Sequence, residues 1–496
     1  MDLQRVATIA PEKHNSFYRY FHPYFTRLPG NVSKRYIEAY TKKGDIVLDP
    51  FCGSGVVGIE SLLAGRATIC SDLSPLAAFI TRELLNTRVN TTPLKNEYEN
   101  IVTTLGPTIE KIWSYGGEGL YSGRNAYFDS LENEYWYPTG ALTYRSNFET
   151  IESLFDRRQL LTYAVLFDHI NSVKDPHVKN TLLIVLFGVM SRANLTYMVS
   201  GSREGSILHN GGSSLFSIYD YRKPKQVVVI PPWERFHRKF KDILKIKEAT
   251  IANLRDLNGN VLSRTKVIKS DILKLDRHLD EGTIDYIFTD PPYGAKIPYL
   301  ELSSMWAAWM KWDVSQTDLK AEIIEGGELS KDEHEYCDLM GKSVDMMGNL
   351  LKKGGSASIV FQHANLNVWA KIMDAANRSS LEFDYATIQP TNSASIIKKK
   401  FTGKVVSVPL ILNFTKRSKS KRGSYSAASS MNWKMVENRL RQQSKRSDGL
   451  TYEQLYNILT KEYLDSGVQF DVPTVKKKLE QYLNEFNINQ LTFIES

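Results

Sequence analysis

Residues 44–72 restrict the folds open to this chain more than any other stretch. Ile46, Val47 and Leu48 are a short apolar run that reads as a buried strand. It leads through Asp49, Pro50, Phe51 and Cys52 into a turn carrying Gly53 and Gly55, which let a backbone bend tightly and approach a ligand closely. Val56 to Ala64 then reads as a helix stopped by Gly65, and Ala67 to Cys70 as a second strand ending at Ser71 and Asp72. A strand, glycine turn, helix, strand and acid in that order form a parallel unit that needs helices over its sheet, which predicts an α/β fold. The acid stands 17 residues beyond Gly55 and can accept hydrogen bonds from ribose hydroxyls. The glycines do not follow Gly-x-Gly-x-x-Gly, and no Gly-Lys-Ser/Thr follows them. A cofactor with a ribose and no phosphates fits best.

A second stretch carries the chemistry. Ile284 to Thr289 reads as another buried strand, and Asp290, Pro291, Pro292 and Tyr293 follow it directly. Two prolines cannot continue a strand ladder, since neither donates an N–H, so they fix a rigid turn at the strand's carboxyl end. That is the edge where open α/β sheets bind ligands. The turn offers a carboxylate, backbone carbonyls and an aromatic ring, the set needed to hold an exocyclic amino group of a flat base. Between the two stretches, Lys266 to Ser270 reads as a strand ending at Asp271 and Ile272; Asp271 can accept from a cofactor's adenine amino group or cap the next helix.

The composition, 42% hydrophobic and 24% charged, is that of a globular protein. Cys52, Cys70 and Cys337 are too few for a disulfide framework or a four-thiolate zinc site, which predicts no metal and fits a reducing, cytoplasmic setting. The start lacks a signal-peptide layout, and the longest apolar run, Leu182 to Met190, is too short to span a bilayer, so no membrane partner is expected. The net charge of +8 is uneven: Lys416 to Arg446 holds ten basic residues against Glu437, and Arg222 to Glu248 holds nine against three acids. Such clusters suit a polyanion contacted at defined places, or simply a solvated linker and helix face.

Taken in order, residues 1–43 form an opening segment whose aromatics, Phe17 to Phe25, fill a core or wall a ligand pocket; a helix from Val32 to Thr41 is expected, capped by Asn31 or Ser33. Residues 44–90 are the first part of the α/β domain. Residues 91–260 lose the alternation and read as a mostly helical insertion, the candidate substrate-recognition region. Residues 261–415 complete the α/β domain, 416–430 are a basic linker, and 431–496 are a small helical C-terminal domain with a Thr451–Gln454 capping box and an Asp471 cap.

Together, Asp49–Gly55 and Asp290–Tyr293 resemble the motifs of the amino-group methyltransferases, which methylate exocyclic nitrogens of nucleic-acid bases. With His22 to Leu28, Asp72 to Ala77 and Asp290 to Leu302 added, the chain resembles the adenine-specific DNA methylases that often carry a zinc ribbon. No cysteine lies between Cys70 and Cys337, so the ribbon is absent. The resemblance implies a Rossmann-like methyltransferase sheet with helices on both faces, S-adenosylmethionine as cofactor and double-stranded DNA as substrate; a restriction or defence-system protein as partner is a family habit. It implies that His22, Pro23, Tyr24, Asp49, Pro50, Phe51, Gly53, Gly55, Asp72, Leu73, Asp271 and Ile272 bind the cofactor. Asp290, Pro291, Pro292 and Tyr293 would act on adenine N6, with the base flipped out of the duplex. Two alternatives remain at this point: a guanine-N2 methyltransferase of RNA, and a non-catalytic DNA-reading subunit on a methylase fold.

Overall fold

The computed structural model describes residues 5–12, 16–115, 125–142, 146–198, 212–257, 259–294, 297–379, 381–390, 409–417, 431, 433–444, 452–466, 471–486 and 488. Among them the main sheet has seven strands: β1 (Ile46–Asp49), β2 (Ala67–Asp72), β3 (Lys266–Lys269), β4 (Ile284–Thr289), β5 (Leu351–Phe361), β6 (Leu381–Ile388) and β7 (Leu410–Lys416). Their order is β3-β2-β1-β4-β5-β7-β6. The first five run parallel, and β7 lies antiparallel between β5 and β6. Strand order reverses between β1 and β4, and such a switch point opens a crevice at the carboxyl edge.

Alternation along each strand divides the core. Val47, Tyr286, Phe288, Val360 and Ile411 face helix α1 (Gly30–Tyr40), which buries Val32, Tyr36 and Ile37 on them. Leu48, Ile287, Ala357 and Ile359 belong to a second core, shared with Met340 and Val344 of α8 (Glu333–Leu350) and Trp369 and Ile372 of α9 (Leu366–Arg378). The fold is the α/β class expected, with helices on both faces. Helix α1 is not capped as expected: it starts after Pro29 with no side-chain cap. Asn31 instead donates to Ala10 O at 2.9 Å and accepts from Glu12 N at 3.2 Å, pinning the opening segment.

Helix α2 (Val56–Leu63) follows the glycine turn, and α3 (Pro75–Leu85) follows β2. The chain then leaves the sheet for α4 (Thr91–Ser114), α5 (Arg157–Ser172), α6 (Pro176–Met190) and α7 (Pro232–Leu254). Leu182 to Met190 is buried throughout, so this apolar run is the centre of the insertion's core; no helix among the described residues is long and apolar enough to cross a membrane. One part of the basic cluster is internal. Lys247 of α7 is buried and donates to the carbonyls of Glu83 and Asn86, meeting the negative end of α3.

The C-terminal helices α10 (Trp433–Ser444), α11 (Tyr452–Asp465) and α12 (Val472–Glu485) share one apolar core with the sheet domain. Asp465 accepts from Ala386 N at 2.7 Å, and Tyr456 donates to the carbonyls of His363 and Ala364, each at 3.1 Å. Asp471 caps α12 by accepting from Thr474 N at 3.2 Å. Thr451 of the expected capping box, and residues 418–430 of the linker, lie outside the described residues.

Candidate active site

Pairing of β1 with β4 sets Leu48 opposite Ile287, so both strands end side by side. Asp49, buried at the end of β1, accepts from Thr289 Oγ1 at 2.7 Å and from Phe51 N at 3.2 Å. The glycine turn and the Asp290 turn therefore leave the sheet as neighbours. Gly53 has φ +48° and Gly55 φ +80°, backbone that L side chains rarely adopt. At Gly53 the close approach is also required, because a Cβ there would lie 2.9 Å from Tyr24 Cε1. Asp72 ties the turn to β2: its Oδ2 accepts from Gly53 N and its Oδ1 from Ser74 N, both at 2.9 Å. Burial outweighs these hydrogen bonds, pushing Asp72 up to about 6 and Asp49 up to about 7.

At the end of β4, the Tyr293 hydroxyl donates to Asp290 Oδ1. The Tyr293 ring meets Phe361 edge-on at 5.8 Å, and Pro292 O accepts from Tyr336 of α8 at 2.8 Å. The rigid turn is thus held from β5 and from α8. Asp271 accepts from Leu273 N at 2.9 Å and so caps its short helix.

A cleft opens along this edge. Of the residues expected at the cofactor, Tyr24, Asp49, Pro50, Phe51, Gly53, Asp72, Leu73, Asp271 and Ile272 line it. Asp290 and Pro292 line it from β4. Five do not. His22 is buried edge-on to Trp306 at 5.9 Å with Nδ1 2.6 Å from Pro23 O; burial pushes it down to about 3, so it is neutral. Pro23, Gly55, Pro291 and Tyr293 are not among its lining residues; Gly55 is the left-handed cap of α2, packed on Thr81.

The cleft also draws on residues outside the expected site. Tyr299 stacks on Tyr24 at 6.2 Å, its hydroxyl 3.1 Å from Thr26 Oγ1. Glu322 accepts from Leu300 N at 3.0 Å, and burial pushes it up to about 8. Arg27 lies two residues past the aromatics, and its only signal was its place in the His22–Leu28 match. No group of three or more His, Cys, Asp or Glu among the described residues could hold a metal ion.

The sheet order, the glycine turn after β1, the acid at the end of β2 and the turn after β4 define a Rossmann-like α/β fold. Residues 5–82 match the family model described as DNA methylase. Among solved structures, the chain is similar to TrmN from Thermus thermophilus at 10% identity and a TM-score of 0.26. That match covers 78% of this chain and 48% of that one, so the chain spans about half of that structure. It is also similar to a second Thermus thermophilus protein, TTHA0409, a putative DNA modification methylase, at 11% identity and a TM-score of 0.17, over 44% of this chain and 93% of that one.

Proposed function

We propose that this chain transfers a methyl group from S-adenosylmethionine to the exocyclic N6 of adenine in DNA. The observation that carries the reading is that Gly53 and Asp290, more than two hundred residues apart, line one cleft at the switch point. The cleft fits the cofactor by its donor set. Each Asp72 oxygen takes one backbone N–H and keeps acceptor capacity for a ribose hydroxyl. Asp271 serves the adenine edge, and the acidic lining suits a sulfonium. When bound, S-adenosylmethionine supplies an activated methyl group, so the protein's task is positioning and electrostatics.

An exocyclic amino group is a weak nucleophile because its lone pair is delocalised into the ring. Asp290 accepts one of its N–H bonds and the Pro291 carbonyl the other, drawing the nitrogen towards tetrahedral geometry and freeing the pair. Phe361 and Tyr336 hold the turn that presents both acceptors. The base must leave the duplex to reach them, and stacking on Tyr293, worth about 1–3 kcal/mol, offsets much of that cost.

The test is incubation of unmodified duplex DNA with labelled S-adenosylmethionine, followed by nucleoside analysis. The expected product is N6-methyladenine, lost in Asp290→Ala while cofactor binding persists. Label only in N4-methylcytosine, only in RNA guanine, or in no nucleic acid would overturn the reading.

A further inference from the structure

The basic cluster of α7 has an inward part and an outward part. Lys247 points inward, to the carbonyls at the end of α3. Nearer its start, α7 carries Arg235, Arg238 and Lys239 within about one turn, roughly 6 Å of axis. Lys239 crosses α6 where Gly188 leaves room for it, and donates to Tyr20 O. Arg192, one turn beyond Gly188, is exposed and acts on both Arg235 and Lys239. The cations continue past Tyr20. The Arg19 guanidinium lies over the Tyr20 ring at 5.3 Å, and Arg19 O accepts from Arg27, which lines the cleft. One basic surface runs from the insertion, over the opening segment, to the cleft.

Little opposes this charge. Arg19, Arg192 and Arg235 make no ion pair among the described residues. Glu234 lies 3.7 Å from Arg238, but both side chains are exposed, and such a pair contributes little. Burial, Arg27 and Arg192 push Lys239 down to about 7 against the pull of Asp242. Burial, Arg192 and Arg238 lower Arg235. Cations held this close repel one another, and a polyanion laid across them removes that cost while shedding its own counterions. The guanidinium fork matches phosphate oxygens. Tyr20, 63% exposed, adds an aromatic face among the cations, the composition of a nucleic-acid surface. The spread over the end of α6, the start of α7 and the opening segment suits a chain of phosphates and exceeds what one small anion spans.

We propose that Arg19, Arg192, Arg235 and Arg238 form a track for the phosphate backbone of duplex DNA, leading the duplex from the insertion to the mouth of the cleft. The proposal rests on reading DNA as the substrate of that cleft. Phosphate contacts set register and orientation without reading sequence, so the track delivers a strand to Asp290 and leaves base choice to other residues.

Binding of an unmodified duplex by the full chain, measured at several salt concentrations, tests it. The double variant Arg192→Gln/Arg238→Gln changes exposed side chains only, so the fold should not suffer. Its affinity should fall, and the slope of log K against log salt should become shallower by about 1.8, near 0.9 for each charge removed. Adding Arg19→Gln and Arg235→Gln should bring the change to about 3.6. Lys342→Gln/Lys371→Gln makes the same charge change on the exposed sides of α8 and α9 and should leave the slope as in wild type. An unchanged slope in the first double variant would overturn the proposal and leave the surface to an acidic protein. An equal change in the α8/α9 variant would overturn it too, by making the effect one of net charge. Wild type that binds no duplex even at low salt would instead sink the reading of DNA as substrate, and the proposal with it.

Discussion

Three buried carboxyl groups give the cleft a pH signature. Asp72, Asp49 and Glu322 sit near 6, 7 and 8, against 3.8 for an ordinary Asp and 4.5 for Glu, because burial disfavours their charged forms. For an acid raised in the folded state, the stabilising effect is fully present below the unfolded value and is lost as pH rises through the folded value. The ligand-free protein should therefore melt at progressively lower temperature as pH rises from about 5 to 8. S-adenosylmethionine acts in the other sense, since ionised acids accept ribose hydroxyls and attract a sulfonium. Its affinity should rise over the same interval, more than that of the uncharged thioether S-adenosylhomocysteine. Melting curves with and without ligand at several pH values check both signs. A flat affinity profile would remove these acids from the cofactor site.

At the scale of elements, helix α8 reaches the motif through the hydrogen bond from Tyr336 to Pro292 O. Tyr336→Phe should cost about 1 kcal/mol of stability. It should also slow single-turnover methyl transfer by roughly tenfold, as a loosened catalytic geometry does, with S-adenosylhomocysteine affinity unchanged. An unaltered rate would mean the turn keeps its geometry without this bond. The parts of this site that were legible in sequence are local: an apolar run of four to six residues with glycines, or with Asp-Pro-Pro, at its end has few conformations open to it. What was illegible is what non-local packing decides. Helix α4 runs unbroken through Pro107, and the stretch after the Asp290 turn breaks at Ser303 into Tyr299–Leu302 and Ser304–Met310. Tyr336 and Glu322 come from stretches with no motif, so only the fold brings them to the edge. His22 sits inside a motif, yet local packing buries it against Trp306 and away from the cleft lining.

For the whole molecule, the question is what the excess charge does. Much of the described part is engaged internally. Arg417 pairs with Glu382, Arg439 with Glu462 and Arg441 with Glu485, while Lys416 donates to Leu351 O at 2.8 Å. Lys247 is buried, and Lys239 donates to Tyr20 O. Deleting residues 431–496 would therefore uncover Trp369 and Leu381 and withdraw Tyr456 from His363, so it would report folding rather than DNA contact. Lys419, Lys421 and Arg422 lie outside the described residues and make a cleaner probe. Their replacement by glutamine should leave the melting temperature and cofactor affinity unchanged. If they meet phosphates, affinity for duplex DNA should fall, and the slope of log K against log salt should become shallower by about 2.7, near 0.9 for each charge removed. An unchanged slope would assign DNA contact to the other basic cluster, where Lys223, Lys225, Lys241 and Lys245 would be the next to neutralise.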